Sequence, residues 1–513
     1  MVATSNPLAA QAGLAILQQG GNAVDAAIAA ASTLTVVAPT RCGLGGDLIA
    51  QVCVEGKLYT LNASGPAPSL MDISYFKKRN CDHVPQYGVL ASCVPGLPKG
   101  WAELHRRFGK SSYFDLFRSS IDYAANGYPV TYTSAKAWAG IHQKYKNLLS
   151  GEEYFPWFDT FAPKGNTPEP GSIFKVRDLA NTLKIIAESY SEDFYNGKLS
   201  QIISRFYDGY GGLLNAEDLR SYQPEWQESV SAEYRQYRVW TPPPNSQGLV
   251  ALHALKILNG YAVNTNSRAE SIHLQIEALK IALKVGEISI CDPRVNDANY
   301  NQILSEESIS GDREKISTSF AGDFSAHIPG GGTVYVATAD SDGNMVSLMQ
   351  SNYWGFGSGI VVPGTGIAMN SRASAFSLQP EHSNSLAPGK RPYNTLMPSF
   401  ISEGDRVIGP LGIIGAKMQP QGIVQLAVNL IDYGLNPQSA LDAPRWEIDE
   451  LGRLNFEKST DPEIIAQLTK LGHSCRISES QALFGRGQII HRSCEGVFTG
   501  GTEYRADGAI SVF

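Results

Sequence analysis

His327-Ile-Pro-Gly-Gly-Gly332-Thr333-Val-Tyr-Val-Ala-Thr-Ala339 is the stretch on which the reading of this chain turns. Three glycines run straight into a hydroxyl residue, and Thr333 opens an alternation of β-branched and small side chains that predicts a strand. Asp340-Ser-Asp-Gly-Asn344 supplies turn residues and 345–351 continues as a second strand, so a hairpin is expected. The glycines also carry a chemical possibility. With no Cβ at Gly332, the Thr333 hydroxyl can close on the preceding carbonyl, the approach that an N-to-O acyl shift and self-cleavage require. Cleavage would free an α-amine with an unperturbed pKa of about 7.7–8.0, so one residue would supply both nucleophile and general base. The plainer alternative is a glycine-rich loop feeding an ordinary strand.

Outward from this hairpin, residues 7–19 place apolar side chains at helical spacing and stop at Gly20-Gly21, and 22–33 resume as an Ala-rich helix. Residues 48–54 and 57–61, divided by Glu55-Gly56, read as a second hairpin. From about 101 to 304 the pattern is mainly helical, with amphipathic runs at 101–108, 113–126, 176–189, 249–258 and 269–285. No internal repeat or long tether separates the helical and β parts, so the two are expected to interleave in one fold.

Composition narrows the function. The 513 residues, 43% hydrophobic and 18% charged, suffice for a large core. Forty-two basic against 49 acidic residues give a net charge of −7 with no basic run, which excludes nucleic acid and anionic membranes as expected partners. The most apolar stretch, 26–39, is too short to span a bilayer. Seven cysteines, odd in number and without a Cys-x-x-Cys pair, and an amino terminus lacking a cationic leader suggest a cytoplasmic location. The nine histidines show neither His-x-His nor His-Glu-x-x-His spacing, so no metal is expected. Gly43-Leu-Gly45-Gly46 lacks the dinucleotide spacing, and neither Ser92 nor Ser351 sits in a Gly-x-Ser-x-Gly elbow.

A wider set of segments settles between the two readings of Thr333. Gly13-Leu-Ala-Ile-Leu-Gln-Gln-Gly-Gly-Asn-Ala-Val-Asp-Ala-Ala27, Gly43-Leu-Gly-Gly46, Val94-Pro-Gly96, Pro242-Pro-Pro244, Lys390-Arg-Pro392, Asp432-Tyr-Gly-Leu-Asn436 and Ala443-Pro-Arg445 follow one another along the chain. Asp340, Asp342-Gly-Asn344 and Phe356-Gly-Ser-Gly359 follow Thr333. In this order they resemble the gamma-glutamyltransferase family of N-terminal-nucleophile hydrolases. The resemblance implies an α/β (α+β) fold, a four-layer αββα sandwich, and a precursor that cuts itself between Gly332 and Thr333 into a large segment, 1–332, and a small one, 333–513. It implies no cofactor. The partners would be a small amide or peptide substrate and the chain's own cleaved fragment, with further dimerisation of that pair open. By the same resemblance Thr333 is the nucleophile, Ser351 the second hydroxyl that bonds to it, and Gly415-Ala416, within Gly412-Ile-Ile-Gly415-Ala416-Lys-Met-Gln-Pro-Gln421, the oxyanion donors.

The substrate positions depart from the family. Asn62 stands where an arginine would clamp an α-carboxylate, Ala375 where an acid would bind the α-ammonium, and Tyr353 where an asparagine is expected. Asn394-Thr395 replaces a serine pair, and Tyr335 replaces a histidine two residues after the nucleophile. Arg372 offers an alternative positive charge for a carboxylate, against the plainer reading of an exposed, salt-bridged arginine. A short 378–389 loop, Gly46-Asp47 and Gln419-Pro-Gln421 look more like the cephalosporin-acylase-like branch, with Asp47 read as a turn-orienting or capping residue. Three functions stay open: γ-glutamyl transfer or hydrolysis on peptides such as glutathione, hydrolysis of a glutaryl-type acyl amide, and an unprocessed binding protein.

Overall fold

The strand Gly332–Ala339 and its hairpin partner Met345–Tyr353 occupy the middle of a seven-stranded sheet in the computed structural model, which describes residues 1–264, 267–295, 299–326 and 331–513. The first residues of the opening stretch, 327–330, lie outside the described residues. From edge to edge this sheet runs Ala509–Ser511, Val2–Thr4, Gly332–Ala339, Met345–Tyr353, Asp47–Val54, Lys57–Ala63 and Glu225–Gln227, with every pair antiparallel. A second, six-stranded sheet orders Phe498–Thr502, Arg486–Arg492, Arg406–Ile414, Ser399–Glu403, Tyr237–Thr241 and Val230–Tyr234. Residues before and after Thr333 contribute strands to both sheets.

The strand Gly332–Ala339 is buried on both faces, and its alternation shows what covers each. Val334 and Val336 join Val346 and Leu348 against the Ala-rich helix Ala23–Val37. Tyr335, Ala337 and Ala339 join Met345 and Met349 against Phe400, Ile414 and Ile490 of the other sheet. The far face of that sheet carries Gly248–Leu258, Arg268–Ser289 and Met418–Ala427. The layers are therefore helix, sheet, sheet, helix, the expected four-layer sandwich. Close approach of the sheets depends on Gly412, where a Cβ would lie 2.6 Å from the Tyr335 ring. The phenol of Tyr335 is satisfied by Ser347 at 2.9 Å.

Local chemistry fixes the helix that backs the hairpin. Asn22 caps Ala23–Val37 by accepting from Val24 and Asp25 N–H, and Asp25 returns a bond to the Asn22 N–H. The turn residue Asp340 accepts from Ala23 N–H at 2.9 Å, and Thr338 donates to the Ala23 carbonyl at 2.7 Å. Strand turn and helix start are thus locked together.

The mainly helical reading of 101–304 needs one correction: the short pair Tyr128–Pro129 and Ile173–Phe174 and the strands Glu225–Gln227, Val230–Tyr234 and Tyr237–Thr241 fall inside it. The last two form a hairpin whose turn uses Arg235 at φ 56, so no glycine marks it in the sequence.

Asp25 is fully buried and accepts from the N–H groups of Asn22, Lys110 and Ser111 at 3.0–3.1 Å. Asp25→Ala strands three donors, so a loss of about 3 kcal/mol is expected at roughly 1 kcal/mol per group. Urea unfolding checks it, and a loss below about 1 kcal/mol would remove Asp25 from the account of the fold.

Candidate active site

The Gly332–Thr333 bond lies where the hairpin register slips. Pairing is regular from Met345↔Ala339 to Gln350↔Val334, and then Tyr353 faces Gly332 across a bulge. Tyr353 has φ 76, a region that few side-chain-bearing residues adopt, and Gly331 at φ 143 leaves room for it, since a Cβ there would sit 2.8 Å from the Tyr353 carbonyl oxygen. Thr333 is fully buried on the inter-sheet face, and its hydroxyl oxygen accepts from Gln419 Nε2 at 3.4 Å.

Ser351 is placed differently from what the resemblance implies. Its hydroxyl donates to the carbonyl oxygen of Gly332, not to Thr333, and it accepts from Tyr353 N–H at 2.7 Å. The bulge brings it there, and in the intact chain that carbonyl is still present to be bonded. A donor on a carbonyl oxygen stabilises the charge that would develop there if its carbon were attacked.

Facing this bond, the strand Arg406–Ile414 turns into the helix Met418–Ala427 through Gly415 at φ 123 and Ala416 at φ 50. Glycine accommodates the first of these angles at no steric cost, while Ala416 holds a left-handed conformation despite its Cβ. Its carbonyl is fixed by Gln247 Nε2 at 3.0 Å, which also reaches the Thr395 carbonyl at 2.7 Å. Gly415, Ala416, Tyr353 and Ala375 line a cavity of about 870 Å³ together with Gly331, Trp354 and Phe376. Its charged lining is mixed: Asp82, Glu287 and Glu450 against Lys417.

The other candidate residues are buried and outside this lining. Arg372 is fully buried rather than exposed. Its Nε donates to Asp47 Oδ2 at 2.8 Å, its Nη1 to Thr395 Oγ1 at 3.3 Å, and its guanidinium lies 4.4 Å from the centre of the Tyr353 ring. Its Nη2 is buried and has no hydrogen-bond partner among the described residues. Asp47 also accepts from Asn394 Nδ2 at 3.2 Å and Gly65 N–H at 3.3 Å. Burial pushes the Asp47 carboxyl up against the pull of Arg372, and burial raises the Tyr353 phenol to about 12. Asn62 serves internal structure: its amide donates to Asn245 and Gln227 at 3.0 and 3.3 Å, and its carbonyl accepts from the Ser64 N–H and hydroxyl.

Sequence reading noted Gln419 only within Gln419-Pro-Gln421, with no role at the nucleophile, and did not single out Gln247; only the fold brings them to Thr333 and to the Ala416 turn. Among the described residues one group has metal-ligating chemistry, His273, Glu277 and His473. Lys280 Nζ already lies 2.8 Å from Glu277 Oε1, and His273 Nδ1 lies 2.8 Å from His473 Nε2. Burial, with Lys280 and His273 alongside, holds His473 near 3, so it stays neutral. The group does not line the cavity.

The gamma-glutamyltranspeptidase family model matches residues 9–513. The chain is 33% identical to the glutathione hydrolase-like YwrD proenzyme of Bacillus subtilis (strain 168), covering 99% of this chain and 97% of that one. It is equally 33% identical to the oxamate amidohydrolase proenzyme of Klebsiella pneumoniae subsp. pneumoniae, with the same coverage of 99% and 97%. The crystal structure of cephalosporin acylase from Bacillus halodurans matches with a TM-score of 0.96 at 47% identity, over 99% of this chain and 94% of that one. With sequence agreement from end to end and the same layered fold, the chain belongs to the gamma-glutamyltranspeptidase family of N-terminal-nucleophile hydrolases.

Proposed function

We propose that this enzyme cleaves itself between Gly332 and Thr333 and then hydrolyses the amide of a carboxylate-bearing acyl group that lacks an α-ammonium. The observation that carries the acyl preference is the cavity wall at Ala375: a methyl group stands where an ammonium would need an acid, and Asn62 is engaged elsewhere. Arg372, whose Nη2 has no hydrogen-bond partner among the described residues, supplies the positive charge for the acyl carboxylate from behind the Tyr353 ring that lines the cavity.

Processing uses groups already in place. Thr333 Oγ1 adds to the Gly332 carbonyl carbon while Ser351 donates to its oxygen. The C–N bond breaks to give an ester and the Thr333 amine, and water hydrolyses the ester to leave the Gly332 carboxylate. In turnover the amine takes the hydroxyl proton as Thr333 Oγ1 attacks the substrate amide, the Gly415 and Ala416 N–H groups hold the oxyanion, and the amine leaving group receives the proton. Water then releases the acid.

A γ-glutamyl donor is the second reading, supported by the relative whose name is glutathione hydrolase-like. A cytoplasmic location belongs to the proposal as well, supported by an odd number of widely spaced cysteines without a Cys-x-x-Cys pair, and is checked by cell fractionation.

Denaturing mass spectrometry of the wild type is expected to show fragments 1–332 and 333–513, and Thr333→Ala a single chain of 55.5 kDa. An uncleaved wild type would instead support a binding protein. Ser351→Ala removes the donor on the scissile carbonyl, so self-cleavage should slow by about 10²–10³-fold. Unchanged cleavage would take Ser351 out of that step. Processed enzyme should show at least a roughly 10-fold higher kcat/KM on glutaryl-anilide than on γ-glutamyl-anilide, with Arg372→Leu lowering both because both acyl groups carry the carboxylate; the opposite order would restore the γ-glutamyl reading.

A further inference from the structure

Gln419 stands in the first turn of Met418–Ala427, fully buried, and one end of its carboxamide reaches the nucleophile: Nε2 lies 3.4 Å from Thr333 Oγ1. The other end is unexplained. Gln419 Oε1 is buried, and among the described residues no donor reaches it. An unpaired amide oxygen in such a place costs about 1–3 kcal/mol, and folded chains rarely retain one without a reason.

Cleavage changes the inventory at this spot by creating one new set of donors, the N–H groups of the Thr333 α-amine. That nitrogen and Oγ1 belong to the same residue, one bond on either side of the Cα–Cβ link, so a single carboxamide can bridge them. We propose that Gln419 is a positioning residue for the general base: Nε2 holds the nucleophilic oxygen, and Oε1 accepts an N–H of the amine once cleavage has freed it. Binding one N–H in this way turns the nitrogen lone pair toward the Oγ1 proton that it must remove. The inference rests on the self-cleavage proposed above and adds a residue that the catalytic set does not contain.

A carbonyl acceptor also favours the protonated amine over the neutral one, which makes the arrangement measurable. The charged groups around the start of the strand are Arg41, whose Cα lies 3.8 Å from where a Gly332 Cβ would sit, with Arg486 and Asp507 acting on it. On the other side are Arg372 and Asp47 behind Tyr353, and Lys417 paired with Glu447 at 2.8 Å. The helix N-terminus adds partial positive charge. Substitution at Gln419 leaves all of them in place.

The test is competitive labelling of the small fragment's terminal amine with acetic anhydride across pH, read by mass spectrometry, in wild type, Gln419→Met and Gln419→Glu. The half-labelling pH should fall by about half a unit or more in Gln419→Met, which removes the acceptor, and rise by about one unit in Gln419→Glu, which places a carboxylate beside the ammonium. In processed Gln419→Met, kcat on glutaryl-anilide should drop about 10–100-fold with KM changed less than about threefold. A residue with only a packing role would not shift the two variants in opposite directions. Equal half-labelling pH in all three proteins overturns the proposal while leaving self-cleavage standing. A wild type without a Thr333-terminated fragment sinks the processing reading and this one together.

Discussion

The ladder between Gly332–Ala339 and Met345–Tyr353 holds the site in place. Side chains alternate along a strand, so a slip of one residue would turn Thr333 out of the inter-sheet layer and into the helical one. Two devices prevent it. Tyr335 lies over Gly412 of the opposite sheet with its phenol on Ser347, and Asp340 and Thr338 fasten the turn to the start of Ala23–Val37. With the register fixed, the bulge after Gln350 becomes the one place where the ladder yields, and the Gly332 carbonyl meets the Ser351 hydroxyl there.

The buried pair Arg372–Asp47 shows how the pocket's chemistry is layered. Full burial of a guanidinium is tolerable when a carboxylate and neutral acceptors face it, and Asp47, Thr395 and the Tyr353 ring do so here. The pair joins the strand Asp47–Val54 to the short helical turn Arg372–Ala375, which carries Ala375 at the cavity wall. This part of the cavity wall is therefore set by residues from segments distant in sequence.

Much of this was legible in the chain itself. The hairpin around Thr333 announced itself through alternation and turn residues, and the first helix, Pro7–Gln18, ended near the expected glycines, because both signals are local. The family resemblance supplied the layers, which no local pattern contains. What stayed hidden was long-range or unmarked. The hairpin ending at Thr241 turns without a glycine, Arg372 looks like a surface residue until the fold buries it, and Gln419 lies 86 positions from the hydroxyl it touches. Ser351 was found by its place in the family's order, but which oxygen it serves depends on a bulge that the sequence does not mark.

Strands from both sides of Thr333 share each sheet: Val2–Thr4 lies between Gly332–Ala339 and Ala509–Ser511, and Tyr237–Thr241 pairs with Ser399–Glu403. A nick before Thr333 would therefore leave two polypeptides woven through one another and not two domains side by side. Neither piece could depart without tearing strands out of both sheets, so fragment exchange between molecules would require global unfolding. The cut frees a chain end at the centre of the protein while the surrounding ladders keep their partners, which makes it a chemical change in a structure that is otherwise mechanically closed.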